Sequence, residues 1–174
     1  MDILIYIIGG LIGLLVILSL IAPKETLVHR EILVEKPIDE VFEYVLYFKN
    51  QDQWSPWAAK DPNMDKEIIG TDGEVGCISR WSGNKEVGVG EQELTYVDKN
   101  KIIRSELRFE KPFKSVSQAY LEFEEVSGGT EVVWGFHAEN KFPGKIFMLF
   151  MDMDKQLGGD FEKGLQQLKK VLEG

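Results

Sequence analysis

Two histidines, one cysteine, Arg80 and a few aspartates have the side-chain types to do chemistry in this 174-residue chain. A histidine acts as a general base only when it faces a reacting group within hydrogen-bond reach. His137 falls on the wet face of its strand, and His29 lies opposite Val28 and Ile32, so neither is expected to serve. Arg80, beside Trp81, could reach into a pocket to hold a carboxylate or carbonyl; its plainer reading is an exposed strand arginine. Cys77 reads as a small buried hydrophobe. Asp152 and Asp154 would point ~200° apart on a helix and make no metal site. Gly88-x-Gly90 lacks the third glycine of a phosphate cradle and lies in a strand pattern, so it reads as a bulge or bend. No Gly-x-Ser-x-Gly elbow, Walker loop or His-Glu-x-x-His occurs. The sequence thus offers no catalytic residue and calls for no cofactor or metal.

The composition points the same way. Hydrophobic residues make up 44 %, enough for a packed core, and the net charge of −9 leaves no basic stripe for nucleic acid. A single cysteine excludes an internal disulfide, and two histidines exclude a Cys/His metal cluster. Oligomeric state is not specified by these features.

The elements that would frame a site are legible from period. Ile3–Ala22 is twenty residues without a charge, enough at ~1.5 Å per residue to span a ~30 Å hydrocarbon core. The expectation is an anchor and linker over 1–25 and a folded domain over 26–174. Lys24 and Arg30 after the segment, against Asp2 before it, put the domain on the cytoplasmic side by the positive-inside rule. Gly9-x-x-x-Gly13 fits small-residue helix packing. Thr26–Glu35 alternates as a strand and Ile38–Phe48 has helical spacing, with Pro37 at its start. From Met64 to Glu139, alternating runs separated by turn signals predict six strands: Asp65–Ile69, Glu74–Trp81, Glu86–Val97, Ile102–Phe109, Ser115–Val126 and Thr130–Glu139. In the last three, Ile103, Leu107 and Phe109, then Ala119, Leu121 and Phe123, then Val132, Trp134 and Phe136 each share a dry face. Gly144–Gly174 carries an apolar stripe (Ile146, Phe150, Met153, Leu157, Phe161, Leu165, Leu168, Leu172) and reads as one long helix, with Gly158-Gly159 as a kink, a close contact or a gate. This is an α+β chain of about seven antiparallel strands with a long C-terminal helix as lid, plus one N-terminal transmembrane helix.

Several local motifs, in this order, resemble the START/Bet v 1-like (SRPBCC) superfamily, and within it the polyketide cyclase/dehydrase-like branch of bacterial proteins. They are Pro37-Ile38-Asp39-Glu40-Val41-Phe42, Trp54-Ser55-Pro56-Trp57 with Asp61-Pro62, Val75-Gly76-Cys77 leading to Trp81-Ser82-Gly83-Asn84-Lys85, and Val87-Gly88-Val89-Gly90. Lys111-Pro112-Phe113, Gly129-Thr130-Glu131-Val132-Val133-Trp134 and Asp160-Phe161-Glu162-Lys163-Gly164-Leu165 follow. The resemblance covers about Thr26–Glu173 and implies a helix-grip fold, a curved sheet wrapped around the C-terminal helix with a ligand held between them. The expected lining is Trp54, Trp57, Trp81, Leu107, Phe109, Phe113, Leu121, Phe123, Trp134, Phe136, Phe150, Met153 and Leu157; any one of them, taken alone, also reads as core. The expected function is a membrane-anchored protein that binds a hydrophobic small molecule, such as a lipid, isoprenoid or polyketide, without chemistry of its own. A cyclase or dehydratase acting in the same cavity, and an interaction module with no ligand, are the alternatives.

Overall fold

The computed structural model describes residues 2–174; in its first helix, α1 (Asp2–Ile21), it describes the side chains of Ile3, Leu4 and, without a break, Tyr6–Ile21. Met1, at the head of the expected anchor segment, lies outside the described residues. Element order after α1 is β1 (Glu25–Val34), α2 (Ile38–Leu46), α3 (Phe48–Gln51), α4 (Pro56–Lys60), β2 (Asp65–Ile69), β3 (Ile78–Ser82), β4 (Val89–Asp98), β5 (Ile102–Lys111), β6 (Ser115–Val126), β7 (Gly129–Glu139), a 3-10 helix (Gly144–Leu149) and α5 (Met153–Glu173).

The seven strands form one antiparallel sheet in the order β1-β7-β6-β5-β4-β3-β2. Consecutive strands β2 to β7 neighbour one another because short turns favour antiparallel pairing. Only β1 crosses over, to pair with β7 from Glu25↔Glu139 to Val34↔Thr130. The alternation expected for β5, β6 and β7 holds: Ile103, Ala119, Leu121, Phe123, Val132, Trp134 and Phe136 are all buried. α5 lies on this dry face, and Phe161, Leu165, Leu168 and Leu172 complete the core with α2's Val41, Phe42 and Val45.

Three expectations are corrected. The stretch Glu74–Cys77 is a turn rather than the start of β3: Gly76 takes φ +91, and Cys77 N–H donates to the Glu74 carbonyl. The C-terminal helix does not begin at Gly144. The stripe is interrupted after the 3-10 helix, and α5 starts at Met153, where the Asp152 side chain accepts from Lys155 N–H and caps it. Gly158-Gly159 does not break α5, which runs through it; of the readings offered, the close contact is the one found, at Gly158. A side chain at Gly158 would collide with the Arg30 guanidinium, whereas Gly159 faces open space.

Arg30 is the clamp between sheet and lid. It donates Nε–H to Glu162 (2.7 Å), and its Nη1 and Nη2 fork onto the two Asp154 oxygens (2.9 and 3.0 Å). Hydrogen bonding to Arg30 holds the Asp154 carboxyl below the usual carboxylate range. A carboxyl depressed by folding adds stability that is complete above its unfolded pKa and fades as pH falls through the folded one. Arg30→Gln is therefore expected to lower the denaturation midpoint at neutral pH and to flatten its fall between about pH 5 and pH 2, when both proteins are titrated with urea. A parallel fall in variant and parent would refute the clamp.

α1 lies where the anchor was expected. Among the described residues no helix is long and apolar enough to cross a membrane. The expected transmembrane helix is therefore not shown by the fold. What is shown is a helix whose described side chains are almost all apolar, the large ones other than Leu18 being exposed. Burial is confined to its end, where Leu18 and Ser19 are half-buried, Ala22 is buried and the 3-10 helix makes contact. Asn140, just past β7, ties this exit down: its N–H donates to the Lys24 carbonyl (2.8 Å) and its Nδ2 to the Pro23 carbonyl (3.3 Å).

Candidate ligand cavity

Between the dry face of the sheet and α5 lies a cavity of about 150 Å³. One wall is apolar: Leu107 and Phe109 from β5, Leu121 from β6, Trp134 and Phe136 from β7, and Leu157 and Phe161 from α5. Its aromatic framework is mutually braced. Trp134 stacks on Phe161 at 4.2 Å and meets Trp57 edge-on at 5.6 Å, and Trp81 meets Phe109 edge-on at 5.8 Å. Such edge and offset contacts fix ring orientation and leave gaps that flexible chains would fill. Space comes from small residues on the dry face, Ser105 and Ala119, both buried and both lining the cavity.

Part of the lining is polar. Gln51 and Asp52 at the end of α3, Lys66 on β2, and Ser79 and Gln92 on β3 and β4 contribute to it. Gln51 Nε2–H donates to Gln92 Oε1 at 3.4 Å, and Lys66 forms an ion pair with Asp52. On the sheet the polar groups lie beside the apolar ones, Gln92 paired across strands with Leu107 and Lys66 with Trp81.

Of the thirteen residues expected to line it, eight do: Trp57, Trp81, Leu107, Phe109, Leu121, Trp134, Phe136 and Leu157. Five do not. Trp54 is sealed in the core, edge-on to Trp134 at 5.0 Å, and Phe123 is sealed edge-on against Phe42 at 5.2 Å. Met153 is half-buried against the core at the head of α5. Phe113 and Phe150 are exposed, the first in the β5–β6 turn beyond the sheet and the second before the Asp152 cap where α5 has not begun. The polar part of the lining was missed by sequence reasoning. The one signal for it was Ser105, a polar interruption in the Ile103–Leu107–Phe109 face.

The other singled-out residues lie elsewhere. Arg80 is on the outer face, paired with Glu91 at 2.8 Å, and that carboxyl, bonded by Arg80 and Arg108, sits below the usual range. His137 is at the sheet margin, 3.4 Å from Glu25. Cys77 is buried, and desolvation pushes its thiol pKa up, the opposite of an activated nucleophile. Gly88 takes φ +75 beside a register shift at Val89/Gly90, the expected bulge. Among the described residues no group of carboxylates, histidines and cysteine could hold a metal ion.

The family described as polyketide cyclase/dehydrase and lipid transport matches residues 25–173. The chain belongs to that family. Solved structures share its fold at low identity. The di-domain ARO/CYC StfQ from the steffimycin biosynthetic pathway is 9 % identical with a TM-score of 0.63, over 86 % of this chain and 51 % of StfQ. Protein CV1439 from Chromobacterium violaceum is 14 % identical at 0.60, over 87 % and 99 %. Ara h 8.0201 is 12 % identical at 0.56, over 85 % and 97 %. No curated protein matches the chain. The family match and these neighbours support the START/Bet v 1-like superfamily and its helix-grip arrangement. Family membership leaves the cavity's occupant to the residues that line it.

Proposed function

We propose that this protein binds an amphipathic hydrophobic small molecule, lipid-like or polyketide-like, in the cavity under α5. The observation that carries the reading is the mixed lining: aromatic rings for the apolar body, and Gln51, Gln92, Ser79 and the Asp52–Lys66 pair for a polar end. At about 150 Å³ the space is smaller than the ~300 Å³ at which ligand pockets begin. It therefore takes in part of a molecule, or its walls part on binding.

Three tryptophans in the wall report occupancy directly. Brominated fatty acids added to the full chain in detergent are expected to quench tryptophan emission saturably. Ser105→Phe, which places a ring in the cavity, is expected to weaken that quenching about tenfold. Equal quenching in parent and variant would assign it to the detergent phase and overturn the reading.

A cyclase or dehydratase is the second reading, favoured by the Asp52–Lys66 pair, which puts a carboxylate and an ammonium within reach of one another, with the Gln51–Gln92 amides to orient a substrate. Asp52→Asn would then abolish turnover of a cyclisable substrate while leaving tryptophan quenching intact.

The same proposal places the protein on a membrane through residues 3–22. A helix apolar all round needs an apolar surround, and twenty uncharged residues have the length for a bilayer. The charges flanking the helix favour a cytoplasmic domain.

A further inference from the structure

At one end of the sheet, β1 begins, β7 ends and the β5–β6 turn projects, because these strands are antiparallel and in register there (Glu25↔Glu139, Phe109↔Ser115). α1 leaves the domain at this end, clamped by Asn140, and the 3-10 helix packs against it. The four exposed phenylalanines among the described residues all lie here: Phe113 in the turn, and Phe142, Phe147 and Phe150 around the 3-10 helix, 62–81 % exposed. The turn lies within about two strand spacings of β7, ~10 Å.

The segments that carry these rings are locally basic, although Glu110, Glu139 and Asp152 border them and Lys141 pairs with Glu139 at 3.6 Å. Residues 111–118 and 140–151 contain no acid, yet carry Lys111, Lys114, Lys141 and Lys145, in a protein of net charge −9. Exposed aromatic rings flanked by lysines match a bilayer interface, where rings sit at the acyl boundary and ammonium groups reach anionic headgroups. The cavity wall approaches the same end at Phe109, Val87 and Leu157.

We propose that this end is a membrane-docking face: Phe113 and Phe147, with their neighbouring lysines, insert into an anionic bilayer surface, and the cavity exchanges its ligand with that bilayer. The proposal rests on α1 as the anchor. The two are separable. In the full chain, with Cys77 buried and inert, nitroxides are placed at Phe113→Cys, Phe147→Cys, Ile12→Cys on α1, and Ser127→Cys at the opposite end. The protein is reconstituted in vesicles of phosphatidylcholine and phosphatidylglycerol, and collision with oxygen is compared with collision with a water-soluble nickel complex.

Docking is expected to make oxygen dominate at 113, 147 and 12, and nickel dominate at 127. In vesicles of phosphatidylcholine alone, positions 113 and 147 are expected to shift toward nickel while position 12 does not. Nickel dominance at 113 and 147 with oxygen dominance at 12 overturns the docking face and leaves the anchor. Nickel dominance at 12 overturns the anchor itself. Dipolar broadening at 147 without oxygen preference assigns the face to a second copy of the chain and also overturns the proposal.

Discussion

Trp134→Ala is expected to cost about 3–5 kcal/mol of folding free energy, the usual range for removing a large buried aromatic side chain. Trp134 is 5 % exposed and touches three other aromatic rings: it stacks on Phe161 of α5 and meets Trp54 and Trp57 edge-on. Truncation leaves a void that rigid rings cannot collapse into, so the cavity term adds to the lost transfer energy. Against a typical stability of ~5–15 kcal/mol, the variant would sit near the edge of folding. A denaturant titration of the full chain in detergent should show the midpoint falling with an unchanged slope. A loss below about 1.5 kcal/mol would mean that the wall repacks, as volume-conserving cores do, and that the cavity is softer than its aromatic bracing implies.

Gly164→Ala and Gly159→Ala are expected to act with opposite signs, although both replace glycine by alanine within α5. In an exposed helix interior the change gains up to ~1 kcal/mol. Gly159 meets open space, and that gain should be realised there. At Gly164 a Cβ would lie 2.7 Å from the Trp134 ring and 3.0 Å from Pro56 Cδ, and neither is the free end of a flexible chain. Overpacking of this kind costs ~1–3 kcal/mol, which outweighs the propensity gain. Thermal melts of the two variants beside the parent decide the matter. Stabilisation by both would show that α5 can lift from the wall at no cost, and the tight seating of Trp134 under Gly164 would have to be abandoned.

The strands were legible because their period is two and one face is wet. Asp65–Ile69 and Ser115–Val126 run as read, and the inward residues of β5, β6 and β7 are the ones found buried. The head of α5 was not legible. Ile146 and Phe150 happen to continue the 3.6-residue stripe, and spacing alone cannot tell a continuing helix from a 3-10 turn followed by a cap at Asp152. The same error placed Phe150 in the cavity. The aromatic wall could be read because large side chains on a dry face have few places to go. The polar part of the lining could not. Gln51 and Asp52 end a four-residue helix, Lys66 sits on a short edge strand, and neither element has enough length to display a period. Their convergence depends on how α3 packs against β2 and β4, a tertiary fact with no local signature.

The junction between α1 and β1 has a mechanical consequence. Three residues, Ala22 to Lys24, separate the helix from the strand, and the carbonyls of two of them are bonded to Asn140. A domain on a slack tether reorients in nanoseconds, independently of what holds it. Here helix and domain share one frame, so the domain tumbles at the rate of whatever particle holds α1. With α1 held in a bilayer as proposed, its reach would be that of a fixture, and a ligand it exchanges would be collected where it stands.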